Sequence, residues 1–233
     1  MHLFYQPEAD TNAFLSEEES RHCIKTLRLA KGAAIDVTDG RGNRHNCVIE
    51  TADPRRCTFR IVDTHSEVPR PYRIHLAVAP TKNMDRIEWL VEKAVELGVD
   101  QFSFFVSQHS ERRLLKTDRL EKIAVAAMKQ SLQLFLPVID PVLDFKTVLT
   151  QAADERFIAH LPENEPAVSL LKAAKPERST LVLIGPEGDF SEREMQQAIE
   201  NGFKMVKLGD TRLRTETAAL AACHTIHLIN TTT

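Results

Sequence analysis

Two glycine loops carry the densest chemistry in this chain: Gly185-Pro186-Glu187-Gly188, and Leu208-Gly209. Each follows an apolar run and each leads toward a helical pattern, so each lies at a strand's carboxyl end. In open α/β sheets that is where ligands sit. Glycine at such a place lets backbone approach a ligand with no Cβ in the way, and Pro186 stiffens the turn. A phosphate cradle is a poor match, because Glu187 repels an anion and no lysine follows as in a P-loop. The second loop adds Arg212 and Arg214, then runs through Thr215 into a small-residue helix from Glu216. Together the loops suit a small cofactor gripped by backbone, with cationic side chains at its edge. The plain alternative for the first loop is a tight strand-to-helix turn.

Elements can be assigned around these loops. Residues 1 to about 70 form short β-like runs, AAIDVTDGRGN, HNCVIETAD and RCTFRIVDT, with Asp39 to Gly42 as a hairpin turn. A helix is expected from Ser16, with acidic Glu17 to Glu19 in its first turn. VPRPYR (Val68 to Arg73) reads as a linker. From Arg73 onward, apolar runs (IHLAVAP, QFSFFV, RFIAHL, TLVLIG, MVKLG) alternate with helical patterns, the signature of a mostly parallel, covered sheet. Ile87, Leu90, Val91 and Ala94 share one helical face, and Gly98 is placed to end that helix. Ser191 with Glu194 makes a capping box, and Gly202 closes the helix that follows. The apolar faces around Trp89 and Phe102 to Phe105 read as core.

Composition sets outer limits. The 233 residues allow one large domain or two small ones, and hydrophobic content of 42% fits an ordinary soluble globular protein. Four cysteines (Cys23, Cys47, Cys57, Cys223) without C-x-x-C spacing, and no amino-terminal apolar run after a basic start, point to the cytoplasm. No run is long and apolar enough to span a bilayer. A net charge of −3 does not announce nucleic-acid binding, so RNA contact would use local patches. Two exist. His109 to Lys129 holds Arg112, Arg113, Lys116, Arg119, Lys122 and Lys129 against Glu111, Asp118 and Glu121; Lys204 to Arg214 holds four cations against Asp210. Either could be a solvated face or a phosphate contact. His224 and His227 lack an acidic or cysteine partner at convincing spacing, so no metal is expected. Cys223 reads as a small buried residue.

The order IGPEG-x-F-S-x-x-E, G-F, then LG-x-x-x-LRTETA strongly resembles the RsmE-type 16S ribosomal RNA (uracil-N3)-methyltransferases of the SPOUT class. H-x-x-x-x-L-R-x-x-x-G at His22 to Gly32, DG-x-G at Asp39, DRIEWLVEKAVELGVD at Asp85, SERR at Ser110 and KQS…P from Lys129 to Pro137 extend the likeness over nearly the whole chain. The resemblance implies an amino-terminal PUA-like β-barrel (1–70) that binds RNA. It implies a SPOUT α/β trefoil-knot domain (71–233) that binds S-adenosylmethionine, and a homodimer. Leu161, Gly185, Glu187, Gly188, Leu208, Gly209, Leu213, Arg214 and Thr215 would line the cofactor. Arg28, Arg112, Arg113, Lys129 and Arg212 would meet 16S rRNA in the small ribosomal subunit.

Uracil N3 carries a proton at neutral pH, so the enzyme must help remove it or stabilise the anion. Arg214 is the expected donor to a uracil oxygen or phosphate. Glu216 would orient that arginine or accept the proton through water; alternatively, Glu216 and Thr215 merely cap the last helix. Arg112 and Glu111 come second. Two departures stand out: Asp189 replaces the second glycine of the family's P-E-G-G-F, and Gln133 stands where arginine is common. If position 189 needs positive φ, Asp tolerates it better than most residues; Asp189 could also cap the following helix. Two alternatives share these motifs: a methyltransferase acting on another RNA such as tRNA, and a silent RNA-binding assembly factor.

Overall fold

The computed structural model describes residues 2–161 and 167–231. The chain divides into two compact units, Met1–Pro69 with Met128–Leu136, and Arg70–Ala127 with Pro137–Thr233. The segment 128–136 therefore belongs with the amino-terminal unit, although the sequence suggests a single cut near residue 70.

The first unit is built on β1 (Leu3–Tyr5), α1 (Glu17–Arg21), a π-helical turn (His22–Thr26), β2 (Ala34–Thr38), β3 (Asn43–Thr51) and β4 (Thr58–Ser66). Its sheet runs β1-β2-β3-β4, with β1 parallel to β2 and the other pairs antiparallel. Ser16 starts α1 by accepting from the Glu19 amide at 3.2 Å, and Glu17 to Glu19 sit at the positive end of its dipole. The Asp39–Gly42 hairpin forms as expected and is fastened to residues 134–136. Gly42 N donates to Leu134 O at 2.9 Å and Leu136 N to Gly40 O at 2.8 Å. Gly42 has φ +100°, and a Cβ there would fall 2.5 Å from the Phe135 ring, so no other residue fits.

The second unit continues with β5 (Arg73–Val78), α2 (Met84–Glu96), β6 (Gln101–Val106), α3 (Thr117–Gln130), β7 (Val138–Ile139), β8 (Leu143–Asp144), α4 (Phe145–Leu149), β9 (Glu155–Ala159), α5 (Leu170–Ala173), β10 (Ser179–Ile184), α6 (Glu192–Glu200), β11 (Lys204–Val206) and α7 (Thr215–Thr231). All its strand pairs are parallel, in the order β11-β9-β10-β5-β6-β7, with β8 also on β6. The centre of this sheet is largely apolar on both faces, as covered parallel sheets require: Leu181 to Leu183 and Ile74, Leu76, Ala77 and Val78 are fully buried, with His75 a buried polar exception. The β5, β9, β10 and β11 carboxyl ends therefore point to one edge, where both glycine loops emerge.

Local signals hold in detail. α2 buries Ile87, Leu90, Val91, Ala94 and Val95, and Gly98 follows it at φ +82°. Ser191 and Glu194 form the full capping box of α6, and Gly202 follows that helix at φ +84°. Trp89 departs from expectation. It is 45% exposed, because the buried face of α2 is set by Ile87, Leu90, Val91 and Ala94, and position 89 lies off that stripe. Phe102, Phe104 and Phe105 are fully buried.

Candidate functional site

Phe190 founds the first loop. Its ring packs with Phe105 and Phe145 at centroid distances of 6.2 and 6.0 Å. A Cβ on Gly185 would lie 3.0 Å from that ring, so glycine there serves the approach of a neighbouring side chain. The Asp189 amide donates to Pro186 O at 3.0 Å, closing the turn. Asp189 sits at φ +62°, the left-handed region that the glycine comparison anticipates. Its Oδ1 accepts from the Phe190 amide at 2.8 Å, while Ser191 alone caps α6. Its Oδ2 approaches His160 Nδ1 to 3.1 Å without hydrogen-bond alignment.

The second loop is tied to the first. Thr215 Oγ1 donates to the Gly185 carbonyl at 3.0 Å, and Arg212 reaches the Glu187 carbonyl at 3.4 Å. Thr215 thus bridges the loops rather than capping α7. Between the loops and the end of β9 lies a cavity of about 360 Å³. Of the expected cofactor residues, Leu161, Gly185, Glu187, Leu208, Gly209, Leu213, Arg214 and Thr215 line it, as does Arg212. Gly188 is not among the lining residues; it lies against His109, whose Cβ would be 3.2 Å from a Cβ added there. The lining also takes in His160, Asp189, Thr211 and Ala218. Sequence reasoning missed His160 and Thr211, and only the position of His160 directly after β9 could have hinted at it.

Arg214 is exposed at the cavity wall, and its guanidinium makes no hydrogen bond or ion pair among the described residues. Glu216 does not join it. The Glu216 carboxylate is buried, with Oε1 3.7 Å from Arg86 Nε and Oε2 without a hydrogen-bond partner. One helical position past Thr215, the side chain swings toward α2 instead of the cavity.

The expected RNA contacts are placed unequally. Arg112 is partly committed, donating to the Thr81 and Lys82 carbonyls at 3.2 and 2.6 Å. Lys82 in turn donates its amide to Glu187 at 3.2 Å and pairs with Glu111 at 2.9 Å, and the hydrogen bond its ammonium donates to Glu111 holds the Lys82 pKa above its ordinary value. Arg113 is exposed, and no side-chain partner is seen for it among the described residues. In the first unit, Arg28 is exposed at φ +58°, and Lys129 is bound to Glu19. His227 Nδ1 lies 3.1 Å from the Tyr72 hydroxyl, and no described group of three His, Cys, Asp or Glu side chains could hold a metal. Cys223 is buried, as expected.

A parallel sheet with backbone loops, a free arginine and a drug-sized cavity at one carboxyl edge defines a ligand-binding α/β protein. Family models then match the chain as an RNA methyltransferase domain over residues 68–227 and an RNA methyltransferase PUA domain over 15–62. The Aquifex aeolicus ribosomal RNA small subunit methyltransferase E is 30% identical, over 95% of this chain and 96% of its own. A crystal structure of a probable rRNA-methyltransferase from Porphyromonas gingivalis superposes with a TM-score of 0.93 at 42% identity, covering 100% and 99% of the two chains. The Neisseria gonorrhoeae ribosomal RNA small subunit methyltransferase E, solved bound to S-adenosyl methionine, gives 0.86 at 28% identity over 99% and 98%. The chain belongs to the RNA methyltransferase family, in its ribosomal RNA small subunit methyltransferase E branch.

Proposed function

We propose that this protein methylates N3 of a specific uridine in the 16S RNA of the small ribosomal subunit, using S-adenosylmethionine. The observation that carries the reading is the unpaired guanidinium of Arg214 at the wall of a cavity framed by two glycine loops. The cofactor fits this donor set. The walls from Gly185, Leu208, Gly209, Leu213 and Leu161 offer backbone and apolar surface to an adenosine, and the carboxylates of Glu187 and Asp189 are compatible with a sulfonium. When bound, S-adenosylmethionine supplies an electrophilic methyl group.

The residues of the chain do the rest. Thr215 holds the two loops at fixed separation. Arg214 presents donors to a uracil oxygen, favouring the N3 anion over the protonated imide. Arg212, Arg112 and Arg113 border the same edge and serve phosphate contacts, which position RNA without reading its sequence. Glu216, buried beside Arg86, is assigned to orienting the start of α7 rather than to proton transfer. Within the first unit, read as a PUA-like barrel, Arg28 and Lys129 are assigned to RNA contact, and the second unit is read as a trefoil-knot domain. A ribosomal substrate places the activity in the cytoplasm. A homodimer fits the exposed apolar side chains of two packed helices, Leu228 of α7 at 41% exposure and Trp89 of α2 at 45%.

The test is transfer of labelled methyl to small subunits lacking the modification, followed by mass spectrometry of digested RNA. A single 3-methyluridine, lost with Arg214→Ala, supports the assignment. Cofactor binding without transfer redirects it to another RNA, and absence of both overturns it.

A further inference from the structure

Glu194 is 6% exposed, and nothing in the methyl-transfer reading above uses it. Its two carboxylate oxygens have separate tasks. Oε2 accepts from the Ser191 amide at 2.9 Å and the Ser191 hydroxyl at 2.8 Å, which is local helix capping. Oε1 instead accepts from the amide of Gln108, at 2.8 Å, in the loop that leaves β6. Burial pushes the carboxyl pKa up, but the hydrogen bonds from Ser191 and Gln108 outweigh it and hold the pKa below its ordinary value. A buried anion at this position is therefore kept by what it binds.

The Gln108 bond leads to the cavity. Gln108 sits in a tight turn in which Ser110 N donates to Ser107 O at 3.1 Å and Ser107 N donates to Ser110 Oγ at 2.9 Å. At its tip, His109 Nδ1 lies 3.1 Å from the Asp189 carbonyl. A carbonyl only accepts, so Nδ1 carries the proton. A Cβ added at Gly188 would lie 3.2 Å from the His109 Cβ, closer than an ordinary contact. Asp189 lines the cavity. We propose that Glu194 is a positioning residue for cofactor binding, which fastens the 107–110 turn and through His109 holds the Gly188–Asp189 wall in its ligand-ready shape. This rests on the cavity being the cofactor site.

Three variants separate this role from helix capping. In Glu194→Gln the amide oxygen is best used toward Ser191, where two donors wait, so the amide NH2 faces the Gln108 N–H and that bond is lost. Ser191→Ala removes the side-chain cap and leaves the Gln108 bond. His109→Ala, at an exposed site, cuts the next link without touching α6. Hydrogen exchange on the ligand-free protein is expected to speed up more than tenfold at residues 107–110 and 187–190 in Glu194→Gln, with no change there in Ser191→Ala. Titration with S-adenosylmethionine should weaken about tenfold in Glu194→Gln and in His109→Ala, and stay within twofold in Ser191→Ala. Native-like exchange in Glu194→Gln, equal affinity loss in Ser191→Ala, or faster exchange with unchanged affinity would each overturn the proposal. If the unaltered protein binds no S-adenosylmethionine, the methyltransferase reading fails on its own, and the exchange data still decide whether the clamp exists.

Discussion

Thr215→Val isolates one hydrogen bond between the two cavity loops. The substitution keeps shape and burial at a residue only 5% exposed, and deletes the donor that reaches the Gly185 carbonyl at 3.0 Å. A neutral intramolecular hydrogen bond is worth about 1 kcal/mol net, and a half-buried carbonyl left without its partner adds some desolvation cost, so the loss should be about 1–2 kcal/mol. Over a chain of this length that lowers the melting temperature by roughly 2–8 °C. The same tie sets the spacing of both walls, so part of that energy should reappear in binding, weakening S-adenosylmethionine by about three- to tenfold. Calorimetric titration and thermal unfolding read both quantities on one sample. Thr215→Ser, which keeps the hydroxyl, should bind within twofold of the unaltered protein. Native affinity in Thr215→Val would show that the loops hold their spacing without this bond. Equal weakening in Thr215→Ser, which loses only the methyl group, would show that packing at this position matters as much as the hydrogen bond.

Other consequences are equally open to measurement. His75 is buried, with Nε2 2.8 Å from Ser103 Oγ, which in turn donates to Asp140 at 2.5 Å. Burial lowers its pKa to about 4, so its contribution is fully present above the unfolded value of about 6.5 and is lost as pH falls from there toward 4. The loss is on the order of 3 kcal/mol, and urea unfolding at pH 7.5 and 4.5 should show a smaller pH dependence in His75→Asn than in the unaltered protein. Gly98→Ala places a Cβ 2.6 Å from Arg70 Nη1 at φ +82°, and Arg70 is held there by Gly98 O at 2.7 Å and Asp100 at 2.8 Å. A cost of about 1–3 kcal/mol is expected in chemical denaturation, and a neutral result would mean that Arg70 moves aside freely. Arg113→Ala removes an exposed guanidinium, so RNA binding should weaken evenly across sequences, with the salt slope falling by about one. An unchanged slope would exclude Arg113 from phosphate contact.

What could be read from the chain alone is what neighbours in sequence settle between themselves. Ser191 and Glu194 cap α6 because they are three apart, Gly98 and Gly202 end helices because few other residues accept their φ, and Asp39 to Gly42 turns because its hairpin strands flank it. The alternation of buried strands and amphipathic helices likewise announced a parallel sheet, and with it the edge where ligands bind. Partners far apart in sequence were beyond such reasoning. Glu216 meets Arg86 instead of Arg214, Lys129 pairs with Glu19, Gly185 is a glycine because Phe190 packs beneath it, and Glu194 holds Gln108 as well as its own helix. Trp89 is exposed because its position on α2 lies outside the buried stripe. Caps, turns and periodicity depend on short-range sterics and hydrogen bonds, which the sequence itself contains. Which side chain answers another across tens of residues depends on strand order and helix rotation, and these exist only once the chain has packed.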